Sequence, residues 1–237
     1  MFDQSQFPAQ QTSSSQASSF DAGLKSHMLR IYNRMSLGVL VTAVVAYFVG
    51  NSPELLQFFL GGPQKWVVML APLAIVFFGF NPERMSSGAM RISFFALSAL
   101  YGISFAFIFR VFTGESIANA FFITTAMFAG LSLYGYTTKK NLSGLGSFAI
   151  MGVWGVLILG LINIFVGSSL MGNVISVVSI IAFAGLTAFE TQNMKEMYSP
   201  RNDPELMSRM SWLGALNLYI SFIAMFQNIL HLMGNRE

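Results

Sequence analysis

The sequence predicts an all-α, polytopic membrane protein, a bundle of seven transmembrane helices with the seventh helix at its centre. Seven uncharged, mostly apolar stretches fill the chain from about Leu37 to Met233. Only 10% of the residues are charged, far below the ~25% of a soluble domain. The Lys and Arg residues fall mainly in alternate gaps between the stretches, as expected when loops alternate between the two sides of a membrane.

The predicted spans cover about 36–50, 66–80, 92–109, 116–136, 144–166, 170–189 and 211–233. Most approach the ~20 residues that a helix needs to cross a ~30 Å hydrocarbon layer. The second is the shortest and contains Pro72, which predicts a kinked helix or one that relies on its flanking residues. Before it, Ser52, Pro53 and Glu54 are typical of a helix N-terminus. The apolar run at 55–60 is too short to cross, so we expect it at the membrane interface.

The distribution of cations predicts the orientation in the membrane. Ten of the 13 Lys and Arg residues fall on one side, which the positive-inside rule makes cytoplasmic: Lys25, Arg30, Arg34, Arg84, Arg91, Lys139, Lys140, Lys195, Arg201 and Arg209. The N-terminus is therefore predicted to be cytoplasmic. Seven crossings would leave Glu237 outside, whereas a re-entrant seventh segment would return it to the inside.

Composition sets the domain organisation and excludes several classes of protein. Residues 1–26 are rich in Gln and Ser and contain no signal-peptide core, so we predict a disordered cytoplasmic tail. Residues 27–237 then form one transmembrane domain. The absence of cysteine excludes disulfides, thiolate metal sites and cysteine nucleophiles. The cations are dispersed rather than clustered with aromatics, so no nucleic-acid partner is expected, and no pattern predicts a cofactor or metal site.

Polar residues inside the spans are the candidates for function. Glu190 ends the sixth span and borders hydrocarbon, where a carboxylate is costly; it either faces the protein interior or lies in the wet headgroup zone. On the seventh span, five residues share one helical face: Asn217, Ser221, Ala224, Asn228 and His231. Exposing this polar stripe to lipid would cost free energy, so the helix should be central. Interhelical hydrogen bonding and a hydrated path both fit the stripe.

Three stretches together resemble the Bax inhibitor family, and specifically its bacterial branch. The stretch TTKKNLS at 137–143 is similar to the family's TTK-x-DLS, and AGLTAFETQ at 184–192 is similar to GLTAYDTQ. The stretch ALNLYISFI at 215–223 is similar to ALxLYLDFI. The likeness covers about residues 28–234, and it implies a bacterial inner-membrane protein in which six helices surround the seventh.

The resemblance also implies a function, because members of this family are described as pH-sensitive calcium leaks. Two acidic side chains on helices six and seven gate the leak, and an arginine near the end of helix two pairs with one of them. Matching places the helix-six acid at Glu190 and the arginine at Arg84, while the helix-seven acid is replaced by Ser221. The chain therefore keeps one carboxylate of the gating pair.

This loss leads to a hypothesis about gating. Two adjacent carboxylates share a proton because joint ionisation is unfavourable, and a lone acid beside Arg84 lacks that repulsion. Fewer carboxylate oxygens also weaken a Ca²⁺ site. We therefore expect a Ca²⁺ or general cation leak of altered selectivity, lined by Asn217 and Asn228. Glu190 and Arg84 would form its cytoplasmic latch, which protonation of Glu190 loosens; His231 is a further titratable candidate.

Two other classes of function are alternatives to a leak. A non-conducting regulator or substrate of a membrane-anchored AAA protease would use tail 1–26, since proteases grip exposed ends; deleting the tail should abolish protease engagement and spare a leak. An intramembrane enzyme is not expected. The chain has two histidines, and His231 lies ten residues from Ser221 on one helix, ~15 Å away by helical rise.

Overall fold

The computed structural model describes residues 9–78, 80–81 and 83–235, and it is built from α-helices. The described helices are α1 (Ala9–Gly50), α2 (Pro53–Leu60), α3 (Gln64–Phe78), α4 (Ser87–Phe105), α5 (Ile108–Val111), α6 (Gly114–Thr137), α7 (Ser143–Val166), α8 (Ser169–Glu196) and α9 (Pro204–Met233). Six spans are long and apolar enough to cross a membrane: α1 from Phe20, α4 continued by α5, α6, α7, α8 and α9. The pair α2 and α3, bent by 85°, qualifies as a seventh when taken together. The prediction of an all-α, polytopic membrane protein is confirmed.

The first helix begins much earlier than the sequence predicted. α1 starts at Ala9, so the predicted disordered tail is helical from that residue onward, and residues 1–8 lie outside the described part. Contacts with the loop between α8 and α9 hold α1 between Phe20 and His27: the centre of the Tyr198 ring lies 5.4 Å from that of Phe20 and 5.5 Å from that of His27. Leu24, between these residues, is buried. Such long-range contacts leave no local pattern in the sequence.

Helix α9 is the centre of the bundle, as predicted. In its most hydrophobic window 61% of the residues are buried, compared with 6% for α7. The Tyr219 hydroxyl hydrogen-bonds Thr42 of α1 at 2.7 Å, and its ring packs edge-on against Phe94 of α4. On another side, Phe222 packs edge-on against Phe128 of α6. Helix α9 is thus enclosed by its neighbours, whereas α7 buries the smallest share of residues among the six long spans.

The second span is divided into two helices. Ser52 caps α2 by accepting from the Leu55 N–H, and α2 buries none of its residues, which fits the predicted position at the interface. Within α3, Pro72 has no N–H to donate to the Val68 carbonyl. The Ser104 hydroxyl of α4 donates to that carbonyl at 2.9 Å. A neighbouring helix therefore satisfies the acceptor that proline leaves free, which allows proline inside a span.

Several contacts join α1, α4 and α9 at one end of the bundle. We call this end, where α4 and α9 begin and Arg34 of α1 lies, the basic end. Arg34 of α1 donates to the Ser208 carbonyl of α9 at 3.0 Å and stacks 4.0 Å from the centre of the Trp212 ring. Glu205, also of α9, accepts from the Ser87 N–H at the start of α4. Trp212 is consequently buried.

Candidate functional site

Glu190 faces the protein interior. Its side chain is buried, with 7% of its surface exposed, and the Ser221 hydroxyl of α9 donates to its Oε2 at 3.1 Å. The sequence is compatible with either the interior or the headgroup zone for this residue, and the structure places it in the interior. The two positions matched to the family's acidic pair therefore do meet, one as a carboxyl group and the other as a hydroxyl.

Arg84 does not lie at the site formed by Glu190 and Ser221. It is exposed in the turn after α3, where the Asn81 Oδ1 accepts the backbone N–H of Glu83 and of Arg84. Among the residues that the structure describes, no Lys or Arg forms an ion pair with Glu190. The predicted latch between Glu190 and Arg84 is absent here, because the local turn holds Arg84 at the surface while Glu190 lies inside the bundle.

The surroundings of Glu190 decide what the site can do. An ionised carboxylate in a low-dielectric interior is costly unless it is paired with a charge and fully hydrogen-bonded. Ser221 supplies a hydrogen bond but no charge. The site therefore suits a neutral carboxylic acid, and loss of the proton would favour entry of water or a cation. Because Ser221 belongs to α9, a change in the charge of Glu190 would act at the contact between α8 and α9.

The polar stripe continues from Ser221 toward the opposite end of the bundle. Asn228 donates to the Ala224 carbonyl at 2.7 Å, and with His231 it borders a cavity of about 320 Å³. Asn163 of α7 and Ser176 of α8 also line this cavity. On α9 it begins at Gln227, six residues beyond Ser221 and ~9 Å along the helix axis.

The stripe also extends from Ser221 toward the basic end. There Asn217 lies half-buried, one turn from Ser221. Of the two predicted lining residues, Asn228 thus borders a cavity, while Asn217 lies on the other side of Ser221.

Gln192 is a structural residue that sequence reasoning missed. Its Oε1 accepts the Leu142 N–H and its Nε2 donates to the Lys140 carbonyl, both at 2.8 Å. One turn away, the Lys195 ammonium donates to the Tyr136 carbonyl at 2.8 Å. These bonds hold the loop between α6 and α7 against the end of α8. Two of the three stretches that carry the family resemblance meet here. Membership of Gln192 in one of them was the feature of the sequence that could have pointed to its role.

We expect Gln192→Ala to lower the free energy of unfolding by about 2 to 3 kcal/mol, since it leaves a backbone N–H and a carbonyl without partners. Thermal unfolding of the detergent-solubilised protein would measure this loss. Gln57→Ala, at an exposed position in α2, is the control and should change stability by less than about 0.5 kcal/mol. Equal losses for the two variants would contradict a clamping role for Gln192.

Comparisons with known proteins agree with this architecture. Residues 24–237 match the family model described as "Inhibitor of apoptosis-promoting Bax1". An uncharacterised protein of Caulobacter vibrioides is 39% identical, covering 92% of each chain. An uncharacterised protein of Rickettsia prowazekii is 36% identical over 95% of this chain and 96% of its own. The inner membrane protein YbhL of Escherichia coli is 36% identical over 91% and 94%. The chain therefore belongs to the Bax inhibitor family.

Proposed function

We propose that this protein is a proton-sensitive cation leak of the bacterial inner membrane, with a pathway beside α9 that is closed where Glu190 meets Ser221. The observation that carries the proposal is the burial of Glu190 against the central helix, with a hydroxyl rather than a cation as its partner. The relative YbhL is named an inner membrane protein, which supports this location. The cavity at Asn228 would be the entrance at the opposite end.

The direction of gating follows from the absence of a paired cation. With Arg84 as partner, protonation of Glu190 would break an ion pair and loosen the closed state. Without that partner the neutral acid fits the closed packing, and ionisation imposes a desolvation cost that hydration or a bound cation relieves. Raising the pH should therefore open the pathway, the reverse of the direction expected from the sequence.

Selectivity for calcium should be weak. Ca²⁺ binds six to eight oxygen ligands, usually with several carboxylates among them, whereas the site brings together one carboxyl group and one hydroxyl. Among the described residues, no three His, Asp or Glu side chains are grouped so that they could hold a metal ion. We therefore propose a cation leak that discriminates poorly between K⁺ and Ca²⁺.

Liposome flux assays with Ca²⁺, K⁺ and H⁺ in parallel would test the proposal. We expect cation flux through the wild-type protein to rise by about tenfold across the titration of Glu190, which corresponds to ~1.4 kcal/mol of differential stabilisation. Glu190→Gln keeps the shape but cannot ionise, so its flux should be low and independent of pH.

The control for this assay is Glu196→Gln, an exposed carboxylate on the same helix. It should retain the wild-type pH profile. If Glu190→Gln and the wild-type protein showed the same profile, Glu190 would not be the proton sensor. If neither conducted any of the three ions, the leak itself would be rejected.

A further inference from the structure

A lateral groove opens between α1 and α6 near the basic end of the bundle. It has a volume of about 530 Å³. Its walls are mostly apolar, with Met28 and Leu29 on α1 and Phe128 and Ala129 on α6. Because both helices belong to the outer ring around α9, the groove faces the lipid.

Two polar groups distinguish this groove from an ordinary lipid-facing surface. The Ser132 side chain lines it and is 6% exposed, yet its hydroxyl has no hydrogen-bond partner among the described residues. Buried hydroxyls nearly always have a partner, so this one indicates a missing acceptor. The second group is Lys25, an exposed cation that lines the same groove. None of the described lining residues is acidic.

The positions of these groups along the membrane normal indicate the ligand. Helix α6 approaches the basic end at Tyr136, which also lines the groove. Ser132 lies one turn deeper, ~6 Å toward the membrane centre. Reading from the surface inward, the groove offers a cation, then the Ser132 hydroxyl, then walls that are apolar apart from Tyr32. A glycerophospholipid has the same order: an anionic phosphate, ester carbonyls a few ångströms below it, and acyl chains.

We infer that this groove is a binding site for an anionic phospholipid. Lys25 would attract the phosphate, and the Ser132 hydroxyl would donate to an ester carbonyl. One acyl chain would then lie along α1 and α6, over Leu29 and Phe128. A zwitterionic lipid would fill the same space, but its headgroup would gain less from the Lys25 charge. The site is independent of the proposed leak, since it requires no conduction.

Native mass spectrometry of the full-length, detergent-solubilised protein would test this inference, with phosphatidylglycerol and phosphatidylcholine as competing probes. We expect the wild-type protein to retain phosphatidylglycerol about fivefold better, the preference that one nearby lysine supplies. Lys25→Gln should abolish the preference. Ser132→Ala should weaken retention of both lipids, because both carry ester carbonyls, and Ala129→Trp should block retention by filling the groove.

Two variants serve as matched controls. Lys65→Gln removes an exposed cation elsewhere, and Ala126→Trp adds the same bulk to an exposed position on α6 outside the groove. Both should bind lipid as the wild-type protein does. If Ala129→Trp and Ser132→Ala also behaved as wild type, the retained lipid would belong to the general annulus, and the site would be rejected whatever the effect of Lys25→Gln.

Discussion

Gly135→Ala should lower the free energy of unfolding by about 3 kcal/mol, at the upper end of the cost of overpacking a core. Gly135 of α6 faces α8 so closely that a Cβ there would overlap the backbone carbonyl of Ala188. A backbone atom cannot move aside as a flexible side chain can. The two helices would have to separate, and Ala188 lies two residues from Glu190. Thermal unfolding in detergent would measure the loss.

Gly130→Ala provides the matched control on the same helix. A Cβ at Gly130 would meet nothing within 4 Å, so the substitution should stabilise the helix by about 0.5 to 1 kcal/mol through alanine's better helix propensity. The two variants are therefore expected to have opposite signs. Similar stabilities for both would show that α6 and α8 are not in the close contact described here.

Ser221→Asp should produce the largest change in ion selectivity. The Ser221 hydroxyl lies 3.1 Å from the Glu190 carboxylate, so an aspartate at 221 would create a pair of adjacent carboxyl groups. At neutral pH the pair would share a proton, because joint ionisation at this distance is unfavourable. At high pH a divalent cation could replace the proton. We expect the ratio of Ca²⁺ to K⁺ flux to rise by about tenfold, equivalent to ~1.4 kcal/mol.

Ser221→Asn separates charge from shape in the same assay. Asparagine is nearly isosteric with aspartate and offers an acceptor oxygen, but it carries no charge. The ratio of Ca²⁺ to K⁺ flux through this variant should stay near the wild-type value at every pH. Equal ratios for the aspartate and asparagine variants would exclude the carboxylate pair as the source of divalent selectivity.

The sequence predicted the features that depend on local patterns. The lengths of the apolar stretches predicted the spans, and the polar face from Asn217 to His231 predicted the central position of α9. The contact of Glu190 with Ser221 followed from the family resemblance. Each of these rests on composition or periodicity within a single helix, or on matched motifs, which can be read without knowing how the helices pack.

Features that depend on packing between distant segments were not predictable in this way. Two pairs of small residues have the spacing of a helix contact, Ala126 with Gly130 and Ala184 with Ala188. The first pair is exposed, whereas Ala188 of the second is the residue that Gly135 approaches. Arg84 matched the family's arginine, but the turn formed by Asn81 keeps it at the surface. Gln192 lay inside a recognised motif, and its role became evident only with the loop that it holds.

The shortness of α3 has a consequence for the surrounding bilayer. At 15 residues the helix is ~22 Å long, ~8 Å less than the hydrocarbon thickness of an average membrane. If α3 completes the second span, local thinning of the lipid beside it is one way to relieve the hydrophobic mismatch. Helix α2, turned by 85° from α3, would lie where the headgroups sink toward the midplane. The protein would thus make the bilayer locally thinner on the side where α3 lies.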